Sequence, residues 1–253
     1  PLFWVVVASL QPAGQAMPSH LIWWPEQITF ANYRRIFELL PLARYALNSV
    51  IVVVIAVPVT LLTASWAGFA MTQLPVRMRD LLVGLLVAAL MVPLMAVWLS
   101  RFLVYKWLGL LDTLGVLIAP ALLGSSPFYV LIMFWAMRRV PRDGLDAARL
   151  DGAGAFRVWW SVALPQVRPA LLAVAVLSFE RHWSNFIDPL LYISNRDNYT
   201  LPVALQALQQ LHRTQWPLLM AGVVVVTLPA VLVFLLAQRA FMSEPGDRGE
   251  IRG

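Results

Sequence analysis

Within one long apolar stretch, Pro169 to Ile193, the sequence reads Glu180-Arg-His-Trp-Ser-Asn185 and then Asp188. Glu180, His182 and Asp188 supply carboxylate plus imidazole, the minimum for acid–base work. Arg181 carries a planar fork of donors suited to a cluster of hydroxyls or to an anionic group such as phosphate. On a continuous helix Glu180 and Arg181 point about 100 degrees apart, so they do not line one narrow face. Glu180 shares a face with Ser184, and Arg181 shares another with Asn185 and Asp188, at i+4 and i+7 spacing. Trp183 offers a ring for the apolar side of a sugar, or a packing surface. An ionisable group at the centre of an apolar span costs roughly 2.5 to 3.5 kcal/mol on insertion scales, so such groups face a polar cavity or one another. Two readings follow: a polar path lined by Arg181, Asn185 and Asp188, or an ion pair that ties helices together.

A second charged stretch runs from Arg138 to Pro165, about 30 residues that are not a Gly/Ser linker. Pro141 can begin a helix, and Asp143 and Asp146 in its first turns suit the positive end of the helix dipole. Asp151-Gly152 is a turn signal that ends it. A second helix from about Gly154 places Phe156, Trp159, Trp160 and Ala163 on one stripe until Pro165 stops it. The pair is too polar to cross a membrane and amphipathic enough to lie on its surface.

The elements that must carry these residues are membrane spans. Of 253 residues, 60% are hydrophobic and 13% charged, about half the charge of an ordinary globular domain. Charge-free runs extend over 1–25, 45–76, 81–100, 113–137 and 214–238, each at or above the roughly 20 residues needed to cross as a helix. Period-2 alternation is absent, so the spans are helices and not barrel strands. They are expected at about 46–71, 81–99, 114–137, 169–193 and 218–240, with residues 1–10 as the end of a truncated first span. Pro58 and Pro93 should kink their helices, and Gly124-Ser-Ser-Pro127 should break the fourth span. Eleven Lys and Arg, among them Arg77, Arg138, Arg149, Arg168, Arg239, Arg248 and Arg252, lie on one side of the bundle, and seven, including Arg34, Arg101 and Arg213, on the other. The positive-inside rule then puts the 138–168 loop and the C-terminus in the cytoplasm.

Several functions are excluded. Without cysteine there is no thiolate nucleophile and no disulfide. The net charge of +6 is spread between apolar spans, which argues against nucleic acid as a partner. No phosphate-binding loop and no nucleophile elbow occur, and His20, His182 and His212 are too scattered to suggest a metal site.

Asp146-Ala-Ala-Arg-Leu-Asp-Gly-Ala153, followed by Phe156 and Leu164-Pro165, resembles the EAA loop of permeases in binding-protein-dependent ABC importers. That loop reads Glu-Ala-Ala, two residues, Asp-Gly-Ala, then Phe and a Leu-Pro pair. Ala147, Ala148, Asp151, Gly152, Ala153 and Phe156 match, and Asp146 replaces Glu with one methylene fewer and the same charge. Asn32-Tyr33, Asn48-Ser49, Leu110-Leu111-Asp112-Thr113, Pro141, Trp183, Pro189-Leu190, Thr200-Leu201-Pro202, Met220-Ala221, Pro229 and Gln238-Arg239 fall where carbohydrate-type permeases of the maltose-permease kind carry similar residues.

The resemblance implies an all-α membrane protein: one six-helix ABC importer transmembrane domain over residues 1–253, its first helix truncated, with a coupling loop at 141–165. It implies that Asp146, Ala147, Ala148, Asp151, Gly152, Ala153 and Phe156 seat in a groove of a cytoplasmic ATPase dimer. That dimer would bind ATP and Mg, while this chain binds no cofactor and catalyses nothing. A second homologous permease subunit, an extracytoplasmic substrate-binding protein and membrane lipid are the other implied partners, in the cytoplasmic (inner) membrane. Near the fifth span Phe179, Trp183, Phe186, Pro189 and Leu190 match, and Glu180, Arg181, Trp183, Ser184, Asn185 and Asp188 become the candidate substrate path. Ser184 stands where the family has Asn, and Glu180, Arg181 and His182 are more charged than usual. Only the basic-Gly ending of the family's tail is kept, in Glu250-Ile-Arg-Gly253. The implied cargo is a sugar or oligosaccharide moved by alternating access. Glycerol-3-phosphate or a glycerophosphodiester is the alternative, motivated by Arg181. An intramembrane enzyme using Glu180, His182 and Asp188 is the other class, in which a coupling loop has no purpose.

Overall fold

The computed structural model describes residues 1–14, 23–25, 27–211 and 215–242. His20, His212, Arg213, Arg248, Arg252 and the Glu250-Ile-Arg-Gly253 tail lie outside the described residues. Among the described residues regular structure is entirely helical. In order it comprises α1 (Leu2–Ser9), α2 (Ala31–Leu39), α3 (Leu42–Thr72), α4 (Val76–Leu90), α5 (Leu94–Trp107), α6 (Gly115–Ile118), α7 (Pro127–Met137) and α8 (Arg142–Leu150). There follow α9 (Ala155–Val158), α10 (Leu164–Gln166), α11 (Arg168–Trp183), α12 (Ile187–Tyr192), α13 (Leu201–Leu211) and α14 (Trp216–Met242). The all-α membrane architecture expected from the apolar runs is the one observed.

Three segments, Leu42–Thr72, Gly115–Met137 and Trp216–Arg239, are long and apolar enough to cross a bilayer as they stand. Two more qualify only as bent pairs, α4 with α5 at 99° and Ala155–Gln166 with α11 at 88°. The continuous span expected over 81–99 is therefore corrected. Pro93 does more than kink it, because it has no N–H to continue the ladder and its ring crowds the preceding turn. Met91 N–H and Val92 N–H close the end of α4 on the carbonyls of Ala88 and Ala89, at 3.1 and 3.3 Å, and α5 starts afresh after Pro93. Pro58, by contrast, sits inside an unbroken α3. The fourth span breaks where expected: a 3-10 turn at Ala119–Leu123 ends at Gly124, and Ser126 caps α7 by accepting from Phe128 N–H at 3.3 Å. The span expected over 169–193 is also divided, since α11 ends at Trp183 and α12 begins at Ile187.

The chain forms two compact units, residues 1–51 with 183–253, and residues 52–182. In the first, α1 packs on α14 with the rings of Trp4 and Trp216 6.0 Å apart. Helix ends leave carbonyls without partners, and buried amides supply them. The Asn32 amide donates to Ser9 O at 2.9 Å and Gln11 O at 2.7 Å. The Asn48 amide donates to Asp197 O at 2.8 Å and Tyr199 O at 2.9 Å, while Ser49 Oγ accepts from Leu201 N–H at 2.9 Å. These bonds fix the 197–201 segment to the start of α3.

The second unit is built around α7, whose Met133 and Phe134 are almost fully buried against Ala64, Val158, Trp159 and Val174. Close approach of α3 to α7 depends on Gly68. A Cβ there would lie 2.7 Å from Phe134 N and 2.8 Å from the Met133 carbonyl carbon. Small residues of this kind let membrane helices meet backbone to backbone.

Candidate functional site

The 141–165 segment is positioned by a helix that stops in a defined way. Pro141 stands at the N-cap of α8, with Asp143 in its first turn. At the other end Ala153 N–H bonds Ala148 O at 3.0 Å and Gly152 N–H bonds Arg149 O at 2.9 Å. These are the 6→1 and 5→2 bonds of a Schellman cap, in which the residue after the cap must turn left-handed. That residue is Gly152, with φ of +81°. Ala148 and Ala153, the positions where that cap places its apolar residues, are both packed, half-buried, on the core of the second unit. The Ala-Ala-x-x-Asp-Gly-Ala pattern thus reads as a helix stop: Ala148 and Ala153 inward, Gly152 in the left-handed turn.

What the turn leaves outside is Asp146, Ala147, Asp151, Gly152 and Phe156, all exposed. Asp146 is held by Arg149 at 2.8 Å, and Arg149 also hydrogen-bonds Gln73. Leu150, which the motif leaves as an arbitrary position, is 89% exposed, whereas Leu145 is 7% exposed. Five residues apart on a short helix, the two cannot share a face; this was the available signal that one of them projects outward.

The aromatic stripe expected after Gly154 divides in two. Trp159 and Ala163 are buried, while Phe156 and Trp160 are exposed and stack with planes 10° apart and centroids at 6.3 Å. Trp159 meets Trp66 edge-on at 5.1 Å. Pro165 also fails to stop the helix. A π turn at Trp159–Ala163 precedes it, and the helix continues to Gln166. A wider turn accommodates a residue that can neither donate to the ladder nor tolerate a close carbonyl.

The polar group near the end of α11 is placed piecewise. Glu180 is exposed, Arg181 half-buried and His182 buried. His182 Nε2 lies 3.1 Å from Ser125 Oγ, which is 2.5 Å from Thr60 Oγ1. Tyr129 O–H donates to Leu177 O at 2.9 Å. The break in the fourth span thus grips α11 at two points through Ser125, whose φ is +57°, and Tyr129. Thr60 was not singled out from the sequence, and Ser125 was read only as part of the expected break. A hydroxyl within an apolar run gives no sign by itself of which partner it meets.

Trp183 is buried and its indole N–H donates to Val226 O at 2.9 Å. Val226 lies three residues before Pro229, in the turn of α14 that a proline loosens. The tryptophan therefore satisfies backbone and packs. Ser184 is exposed and follows the last residue of α11. Asn185 and Asp188 are joined reciprocally. Asn185 Oδ1 accepts from Asp188 N–H at 3.2 Å, and the Asn185 amide donates to Asp188 Oδ2 at 3.0 Å. Asn185 precedes the N-cap, Phe186, so the pair holds the first turn of α12 from the preceding loop through one backbone and one side-chain bond. The i, i+4, i+7 face drawn through Arg181, Asn185 and Asp188 does not exist as a helical face, because residues 184–186 are not helical.

The family described as "Binding-protein-dependent transport system inner membrane component" matches residues 28–243. The chain is 28% identical over 243 residues, 96% of its length and 85% of the relative's, to the sulfoquinovosyl glycerol transport system permease protein SmoH of Agrobacterium fabrum. It is 30% identical to the diacetylchitobiose uptake system permease protein NgcG of Streptomyces coelicolor, over 94% of this chain and 80% of the relative. It is also 30% identical to the arabinooligosaccharides transport system permease protein AraQ of Halalkalibacterium halodurans, over 96% of this chain and 88% of the relative. Among solved structures, the fold is similar to a chain in the crystal structure of a bacterial ABC transporter involved in the import of the acidic polysaccharide alginate. The TM-score is 0.78 at 20% identity, covering 95% of this chain and 90% of that one.

Proposed function

Because the chain belongs to the family of binding-protein-dependent transport system inner membrane components, we propose that it is the membrane subunit through which an ATP-driven importer passes a sugar or oligosaccharide. As a permease it is a transport subunit and not an enzyme, so the acid–base reading of Glu180, His182 and Asp188 falls away. The sugar reading is supported by relatives named for glycoside and oligosaccharide uptake that align with almost the whole of this chain. The coupling reading is supported by one observation above the rest: a Schellman-closed helix that packs the half-buried Ala148 and Ala153 on the core and leaves Asp146, Leu150, Phe156 and Trp160 outward.

In this proposal the exposed face from Asp146 to Phe156 seats on the ATPase dimer, which holds ATP and Mg. The half-buried Ala148 and Ala153 and the buried Trp159 transmit its motion to α7 and α3. A second permease subunit completes the pathway, and a binding protein delivers the cargo from outside. Along the path Arg181 provides the substrate contact, with Glu180 and Ser184 exposed beside it in sequence. Asn185 and Asp188 fix the start of α12, and Trp183 holds the loosened turn of α14.

Arg181 keeps glycerol-3-phosphate or a glycerophosphodiester as the second reading, since its guanidinium matches phosphate as well as hydroxyls. Calorimetry on the substrate-binding protein encoded with this chain, followed by uptake into proteoliposomes holding the assembled importer, decides between them. A neutral sugar that is bound and then accumulated at the expense of ATP is the expected result. Binding and uptake of the phosphate ester, with sugars inert, overturns the sugar assignment.

A further inference from the structure

Beside the coupling helix lies a cavity of about 590 Å³ at the meeting of three span ends: the end of α3, the start of α4 and the end of α7. Four arginines line it, Arg79, Arg138, Arg142 and Arg149, against a single carboxylate, Asp146. Two of the four already have carboxylates. Arg149 is paired with Asp146 at 2.8 Å and Arg79 with Asp80 at 3.1 Å. Among the described residues neither Arg138 nor Arg142 is paired with one. Arg138 instead lies over the ring of Trp135, 5.2 Å from its centroid. That contact leaves the in-plane N–H donors of the guanidinium able to reach an anion. The rest of the lining is mixed: Thr72 and Gln73 are polar, and Met137, Val140 and Leu145 are apolar and each less than a tenth exposed.

We propose that this cavity binds a phosphate group, and specifically the phosphodiester headgroup of an anionic glycerophospholipid. Two excess guanidiniums match a monoanion, because a planar fork of donors fits phosphate oxygens in pairs. Thr72 and Gln73 offer polar atoms to the glycerol of the headgroup, Leu74 and Pro75 border it with apolar surface, and the half-exposed Trp135 marks the depth at which aromatic rings meet headgroups. Three helices that end together place the cavity at the membrane surface, where a lipid phosphate is the most concentrated anion. The proposal rests on the chain spanning a membrane and on nothing about cargo or coupling.

Native mass spectrometry of the detergent-purified full chain tests it, with phosphatidylglycerol, phosphatidylcholine and inorganic phosphate as separate probes. One phosphatidylglycerol is expected to be retained in preference to phosphatidylcholine. The double variant Arg138→Gln with Arg142→Gln is expected to weaken that retention about 25-fold, the product of roughly fivefold for each guanidinium. Arg34→Gln with Arg35→Gln, which removes the same charge from exposed positions on α2, is expected to leave retention unchanged. Both pairs lie on the surface, and a thermal melt of each reports its fold. Equal retention by the parent and the Arg138/Arg142 variant overturns the site, as does an equal loss in the Arg34/Arg35 control. Binding of inorganic phosphate alone, with displacement of the lipid, overturns the lipid as its source. An importer that transports normally while failing to retain lipid overturns this inference and leaves the transport reading standing.

Discussion

Replacing Gly152 by alanine separates two explanations of how the coupling loop works. At φ of +81° glycine is in the left-handed region, yet a Cβ built there meets nothing within 4 Å. Alanine thus loses no packing within this chain, and its whole penalty is conformational, about 1–2 kcal/mol for an L-residue held left-handed. That corresponds to a roughly 5–30-fold fall in the population of the native turn. Asparagine is larger but several-fold enriched in this region of backbone space, so it costs less. If the turn geometry is what couples, activity falls in the order Gly, Asn, Ala. If the size of a docked surface is what matters, it falls in the order Gly, Ala, Asn. The assay is ATP-driven uptake by the reconstituted importer, with ATPase co-purification and the Tm of the permease measured on the same preparations. Because α8 is only nine residues long, all variants should insert and melt close to the parent. Uptake in Gly152→Ala should fall about tenfold, and Gly152→Asn should recover most of it. Gly152→Asp costs close to asparagine in the backbone but sets a second carboxylate beside Asp151, so any loss beyond asparagine measures how acidic a face the ATPase accepts. Full transport by the alanine variant refutes the turn argument outright, and an asparagine variant weaker than alanine replaces it with the steric one.

Three further perturbations follow from the packing. Gly68→Ala forces α3 away from the backbone of Met133 and Phe134, which a Cβ would approach to 2.8 and 2.7 Å; a loss of about 1–3 kcal/mol should lower Tm in detergent, and an unchanged Tm refutes the close approach. Asn48→Ala leaves the carbonyls of Asp197 and Tyr199 without their donor, a cost of about 1–3 kcal/mol that should expose the 194–200 segment to proteolysis. Asn48→Asp, which keeps the shape but cannot donate, should behave the same way, and protection in both variants counts against the clamp. Arg181→Gln should alter the rate or the KM of uptake while ATPase co-purification stays constant; if assembly alone falls, the residue serves as an ion-pair tie and not as a path contact.

The start and stop of α8 were legible in the sequence, and the course of the fifth span was not, for a physical reason. Pro141, Asp143 and Asp151-Gly152 are start and stop signals set among polar neighbours, where local bonding decides the backbone. From Leu81 to Leu99 and from Pro169 to Ile193 the spans were drawn from apolar content, which fixes immersion in lipid but not direction. Pro93 was read as a kink because one missing donor bends a helix. The 99° turn also needs Met91 and Val92 to close the preceding turn, which no single residue announces. Asn185 and Asp188 bond each other across the start of α12, but inside an apolar run their spacing was read as a face.

The polar residues that carried the resemblance outside the loop turn out to share a task. Asn32, Asn48, Ser49 and Trp183 bond backbone groups at helix ends, beside a proline or in the segment that follows α12. In a bilayer an unsatisfied carbonyl costs several kcal/mol because no water reaches it. A side-chain amide or indole at such a point is therefore as strongly required as an apolar residue facing lipid. Their agreement with the family reports the scaffold, however polar they look. The loop residues divide on the same criterion. Ala148, Gly152 and Ala153 are explained within the chain by the cap they build, whereas Ala147, Asp151, Phe156 and the unforeseen Leu150 are exposed and gain little from their own fold. In the proposed coupling role, residues of that second kind are the ones a partner surface would meet, and Gly152 sets their placement by turning the chain at the end of α8.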